Sequence, residues 1–166
     1  MATGEPLIET AIQSIRTALQ SIIVANSYRT NVALVSRILK AHDELDINEY
    51  PALFVALGDC RIENQTNKEV KKTYPITIYG YVKFDDYTDD HDTNSAQSKL
   101  IKLSADVQEK MYDQFQTDQF NASTEELNGG SFASDEGALE PYAIFMMDFE
   151  LVIEHAYNDA SRRVNN

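Results

Sequence analysis

The residues able to do chemistry are few and scattered. The histidines are His42, His91 and His155, and no two are three or four residues apart, the spacing that sets two imidazoles on one helix face around zinc. No serine sits in a Gly-x-Ser-x-Gly turn, and the chain has neither a Gly-x-Gly-x-x-Gly loop nor a Walker lysine. Cys60 is the only cysteine, so an intrachain disulfide and a thiolate metal cluster are both excluded. With no histidine or second cysteine beside it, a buried or half-buried thiol is expected. The densest polar group is Asp85, Asp86, Asp89, Asp90 and Asp92. Asp90, Asp92 and Asn94 alternate as in a calcium loop, but Ser95 stands where that loop needs glycine and Ile101 where it needs a bidentate glutamate. A solvated loop leading into a helix is the better reading, ahead of a weak ion site or an acidic surface that meets a partner. No catalytic, cofactor-binding or metal residue is therefore assigned, and binding rather than catalysis is expected.

The bulk numbers agree with a binding protein. At 166 residues the chain is long enough for one domain with a real core. Its 27 acidic against 14 basic residues give a net charge of −13. That balance opposes independent binding to a phosphate backbone, whose affinity comes from Lys and Arg displacing counterions. It suits a surface past which nucleic acid must move without sticking. The start, Met-Ala-Thr-Gly-Glu-Pro, lacks the pattern of a signal peptide, and no apolar run approaches the ~20 residues of a membrane span, so a soluble protein made in the cytoplasm is expected.

The elements that must position these residues are clear in places. Ile8, Ile12, Ile15, Leu19 and Ile22 recur at helical steps and predict an amphipathic helix over about 6–24. Residues 27–49 read poorly: Val32, Leu34, Val35, Ile38 and Leu39 fit a short strand or a second helix, with a strand near 33–40 preferred. A strand over about 52–64 and a second over about 69–84 form an antiparallel hairpin about the polar bend 64–68. In the second strand Ile76, Ile78, Gly80, Val82 and Phe84 share the core face, and Thr77, Tyr79, Tyr81 and Lys83 share the other. A second helix is expected over about 96–116, capped by Asn94 or Ser95, with Leu100, Leu103, Val107, Met111 and Phe115 inward. Residues 117–141 carry the turn signals Asn128-Gly129-Gly130 and Asp135-Glu136-Gly137, leaving room for at most one short strand near 131–133. The last strand runs from about 142 to 157, with Phe145, Met147, Phe149, Leu151 and Ile153 on one face. The fold class is α+β: a single domain over 1–157, a mostly antiparallel sheet packed by two amphipathic helices, followed by a polar tail, 158–166, that frays or docks only on a partner.

Lys68, Lys71 and Lys72 cluster at the hairpin tip. They either guard an exposed strand or pair with an acidic loop of a neighbouring copy, as a head-to-tail contact would require.

With the elements in this order the chain resembles the tail terminator proteins of tailed bacteriophages, from Leu7 to Tyr157. The resemblance rests on the first helix leading to Tyr28-Arg29-Thr30 and on Tyr50-Pro51-Ala52-Leu53 entering a strand. It extends to Tyr74-Pro75-Ile76-Thr77-Ile78-Tyr79-Gly80-Tyr81, the helix Leu100 to Tyr112, and the Asp-Glu-Gly…Pro turn before a last strand closed by Tyr157. It implies a virion protein assembled in the host cytoplasm: a homohexameric ring that caps the head-proximal end of the tail tube, stops its polymerisation and meets the head connector. Tail-completion or head–tail joining proteins share much of the outline and give the alternative, with an acidic adaptor unrelated to phage further off. The implied partners are further copies of the chain, the tail tube protein and the head completion or connector protein. Genomic DNA would pass through the lumen without specific binding, no membrane is involved, and no cofactor is implied. On that reading Asp85, Asp86, Asp89, Asp90, Asp92, Glu125, Glu126, Asp135 and Glu136 would face the lumen or the docking surfaces. Lys68, Lys71, Lys72, Thr77, Tyr79 and Tyr81 would meet neighbouring subunits.

Overall fold

A computed structural model describes residues 4–64, 69–84, 95–116, 126–135, 141–156 and 159–160. Helix α1 spans Leu7–Gln20, and its inward stripe is Leu7, Ala11, Ile12, Ile15, Ala18 and Leu19. It stops short of residue 24 because the Ser21 hydroxyl donates back to the Ala18 carbonyl at 2.6 Å and a 3-10 turn, Val24–Asn26, follows. That turn ends at Ser27, whose φ of 71° is left-handed.

The strands are β1 (Leu34–Ser36), β2 (Ala52–Leu57), β3 (Arg61–Asn64), β4 (Glu69–Lys83), β5 (Glu126–Asp135) and β6 (Tyr142–Ala156). They form one sheet in the order β1-β2-β4-β6-β5, with β3 also paired to β4. Only β1 and β2 run parallel; the other pairs are antiparallel. Helix α2 (Ala96–Gln116) begins where the Ser95 hydroxyl accepts the Ser98 N–H at 3.2 Å, an N-cap that fits the capping expected there. Both helices lie on one face of the sheet, and the α+β class is as expected.

The main core joins α1 and α2 to Leu53, Val55, Ile76, Ile78, Val82, Phe145, Met147, Phe149, Leu151 and Ile153. These are alternate positions of β2, β4 and β6, and burying each large aliphatic side chain contributes about 1.5–3 kcal/mol. Gly80 is opposite Phe145 in the ladder, and a Cβ there would lie 2.0 Å from the ring. The central strand therefore keeps a glycine so that a phenyl ring can cover it.

On the opposite face Ala52, Phe54 and Tyr81 form a smaller cluster with Leu34, Leu45, Tyr50, Tyr79 and Ile144. The segment 41–50 folds over this end of the sheet. Tyr50 donates its hydroxyl to the His42 carbonyl, and the His42 and Tyr142 rings meet edge-on at 4.9 Å.

Four expectations need correction. The strand expected over 52–64 is two strands. Ladder pairing of β2 ends at Leu57 opposite Ile76, and that of β3 starts at Arg61 opposite Thr73, so the chain leaves the ladder opposite Tyr74 and Pro75. Proline supplies no N–H for a partner strand. Cys60 sits in that break and is exposed, not buried. Beyond it, β5 is ten residues long where at most a short strand was expected; it pairs with β6 across a register shift between Gly129 and Phe132. The tail is not wholly detached: Asp159 bridges to Ala156, and the Leu7 N–H donates to the Ala160 carbonyl at 3.1 Å, tying it to the start of α1.

Candidate assembly surfaces

The most connected polar group in the described residues is structural. Asp106, fully buried on α2, accepts four hydrogen bonds from the loop after α1. Its Oδ2 takes the backbone N–H of Arg29 at 2.9 Å, that of Thr30 at 2.8 Å and the Thr30 hydroxyl at 2.7 Å, while its Oδ1 takes Arg29 Nη1 at 2.7 Å. Arg29 also forks onto Glu109 at 2.7 and 3.0 Å. The hydrogen bonds to Glu109 and then Asp106 raise the guanidinium pKa, and the same contact lowers that of Glu109. Lys110 lies 5.7 Å from the Tyr28 ring centroid. The Tyr28-Arg29-Thr30 step is thus the clamp that holds the end of α1 to α2. Sequence reading missed Asp106, although a signal was present: a carboxylate three residues after Leu103 falls beside the apolar stripe and needs a partner.

Of the residues expected to meet neighbouring subunits, Lys71, Thr77, Tyr79 and Tyr81 alternate along β4 onto one face of the sheet, the face away from the helices. Lys68 lies outside the described residues. Lys71 falls between Glu63 on β3 and Glu154 on β6 in the ladder, so its charge is flanked within the chain. Lys72 points to the opposite face and lines a cavity of about 250 Å³ with Tyr74, Ile153, His155 and the start of α1. His155 is buried there, its Nδ1 2.8 Å from the Ala156 carbonyl oxygen. Thr77 donates its hydroxyl to Asp148 at 2.7 Å, Tyr79 is half-buried beside it, and Tyr81 is buried with its ring 5.2 Å from that of Phe54.

Of the acidic residues, Asp85, Asp86, Asp89, Asp90, Asp92, Glu125 and Glu136 lie outside the described residues. Glu126 and Asp135 are the first and last residues of β5, about 30 Å apart at ~3.3 Å per residue, so they cannot act as one cluster. Among the described residues no group of three or more His, Cys, Asp or Glu is placed to hold a metal, and no helix is long and apolar enough to cross a membrane.

Exposed apolar side chains are the more informative feature. Ile38, Leu39 and Ile47 are exposed after β1, and Ile101, Tyr112 and Phe132 are exposed on α2 and β5. Between α2 and β5 lies a groove of about 210 Å³ lined by Ser104, Gln108, Tyr112, Gly129, Phe132, Met147, Asp148 and Phe149. The Phe132 ring stacks on Phe145 at 6.0 Å while keeping half its surface open.

Over residues 7–166 the sequence matches the family of bacteriophage tail tube terminator proteins. The chain belongs to that family. As a tail tube terminator family member it is a structural protein of the phage tail and a virion component. Among solved structures, a chain titled as the virion of a native gene transfer agent particle aligns with this terminator family member at a TM-score of 0.48 and 8% identity, covering 87% of this chain and 92% of that one. No curated protein matches it significantly.

Proposed function

We propose that copies of this chain close into a ring of six that caps the head-proximal end of the tail tube, ends tube polymerisation and offers the next surface to the head connector. The observation that carries this reading is the family match, which runs through both helices and all six strands. The exposed apolar side chains after β1 and along α2 and β5 fit it as surface open to further copies. The charge supports it too: six copies at −13 each bring a formal charge of −78, which repels passing phosphates. The acidic residues of 85–92, with Glu125, Glu126, Asp135 and Glu136, are proposed for the lumen or the faces that meet tube and connector.

The test is electron microscopy of particles made without this protein. Overlong tails are the expected result. Tails of normal length that fail to join heads would overturn the terminator role and assign the chain to the joining layer instead.

A further inference from the structure

Under the first turn of α1, where β4 starts and β6 finishes, lies a cavity of about 250 Å³. The helix contributes its apolar start, Pro6 to Ile8, while Lys72 and Tyr74 come from β4 and Ile153 and His155 from β6. An apolar cavity of about 150 Å³ admits a benzene-sized molecule, so there is room for a group of several heavy atoms.

Two polar side chains in this wall lack partners. His155 is only 6% exposed. Its Nδ1 lies 2.8 Å from the Ala156 carbonyl oxygen, and a carbonyl can only accept, so Nδ1 carries a proton. Nε2, on the far side of the ring, is buried with no hydrogen-bond partner. Buried polar atoms are normally satisfied, so an orphan beside a cavity marks a place for a ligand. Lys72 lines the same space, and among the described residues it forms no ion pair. No side chain caps the first turn of α1, which leaves the positive end of the helix dipole at this wall.

No carboxylate balances these groups among the described residues of the wall. Glu5 lines a separate hollow with Lys110, and Glu9 is taken by Arg37 and Gln13. Glu69 and Glu154 alternate onto the other face of the sheet, and Asp159 does not line the cavity. Within a chain of net charge −13, this pocket is lined by a lysine and a histidine without an acid.

We propose that the cavity is a carboxylate site, in which Lys72 Nζ and a protonated His155 Nε2 hold the two oxygens and the apolar wall holds a short aliphatic stem. Because Nδ1 is already committed as a donor, Nε2 of a neutral ring offers only a lone pair, and an anion there brings a proton with it. Binding therefore takes up one proton, and affinity falls with rising pH by up to about tenfold per unit. Tyr74 is the other titratable group in the wall. The inference does not depend on the ring reading.

The test uses the full chain and sodium butyrate, with sodium chloride at equal ionic strength and neutral butyramide as controls. Nitrogen NMR of the imidazoles at about pH 8, above the ordinary histidine range, reads the site directly, with His155 assigned by elimination in His42→Gln and His91→Gln. Butyrate should move Nε2 of His155 from a bare to a protonated nitrogen and leave Nδ1 protonated. Calorimetry in two buffers of different ionisation heat should show proton uptake. Lys72→Met should weaken binding at least tenfold with an unchanged urea midpoint, and Lys72→Arg should stay within a few-fold of wild type. No change at His155 up to about 0.1 M butyrate, weaker than any useful site, overturns the proposal. So does binding without proton uptake, equal binding of butyramide, or full affinity in Lys72→Met. A glutamate side chain of another virion chain carries the same group as a free acid. If Lys72→Met binds butyrate weakly yet still caps tubes made without the protein, the source is a free acid. If it loses capping where Lys72→Arg keeps it, the source is a partner's side chain.

Discussion

Replacing Asp106 by alanine should be among the most damaging single changes available outside the apolar core. The carboxylate is fully buried and accepts the Arg29 N–H, the Thr30 N–H, the Thr30 hydroxyl and one Arg29 guanidinium N–H. The guanidinium is about half exposed and keeps Glu109, so solvent screening leaves its share of the loss small. The two backbone donors and the hydroxyl have no such alternative. Each unsatisfied group costs about 1–3 kcal/mol, with partial relief from water entering the loop. A total of about 3–5 kcal/mol follows, which is a large part of a typical domain's stability. Urea unfolding should show a lower midpoint at unchanged slope, and melting should fall by about 6–20 °C for a chain of this size. Arg29→Ala is the comparison that decides the reasoning, since it removes the ion pairs but keeps both backbone N–H groups on Asp106. It should lower the urea midpoint by only a small fraction of the Asp106→Ala shift. If Arg29→Ala destabilises as much as Asp106→Ala, the clamp is an ion pair, and backbone donors are not what holds the loop.

Three further outcomes follow from other parts of the fold, and a fourth from the break in the sheet. Gly80→Ala forces a Cβ into the space of the Phe145 ring and should cost about 1–3 kcal/mol in urea unfolding; pairing it with Phe145→Leu should recover part of the loss, and strict additivity would refute the contact. For pH, Glu9 is held low by Gln13 and then Arg37, Glu49 by the Asp46 N–H and then Lys40, and Glu109 by Arg29. Carboxylates with folded pKa values below the unfolded one stabilise above it, so the urea midpoint should drop as pH falls below 4.5; a rise on acidification would contradict these pairings. At the alkaline end burial raises the Tyr50 phenol to about 12, so its contribution holds below pH 10 and should fade as pH climbs through 12; Tyr50→Phe should flatten that limb. Cys60 should react with a thiol reagent in the native protein, and reaction only after unfolding would place it inside.

What the sequence made legible was whatever a segment encodes in its own side chains. Helix α2 was readable from Leu100, Leu103, Val107 and Met111, and its observed bounds, Ala96–Gln116, match the expected ones. Strands β4 and β6 were readable because alternate residues face a core, down to Gly80 among the inward positions. What could not be read depends on a partner distant in sequence. Strand β5 has two glycines and little alternation, and it exists because β6 supplies its hydrogen bonds. The break after Leu57 falls opposite Pro75 on another strand, which accepts the Gly58 N–H at 2.8 Å but has no N–H to return. Asp106 is explained only by a loop 76 residues earlier.

The same division bears on function. Ile38 and Leu39 looked like part of a strand over 33–40, and only the observed end of β1 at Ser36 turns them into an exposed knob. The segment 117–141 read as turns with room for at most one short strand, yet it contains all of β5. Deleting it would strip the strand that Phe132 and the groove depend on and expose one side of β6, so a lost cap would report misfolding as readily as lost docking. Point substitutions at exposed side chains separate the two. For a protein whose work is contact, the informative residues are the apolar ones the fold leaves outside, and those become visible only after the fold has claimed the rest.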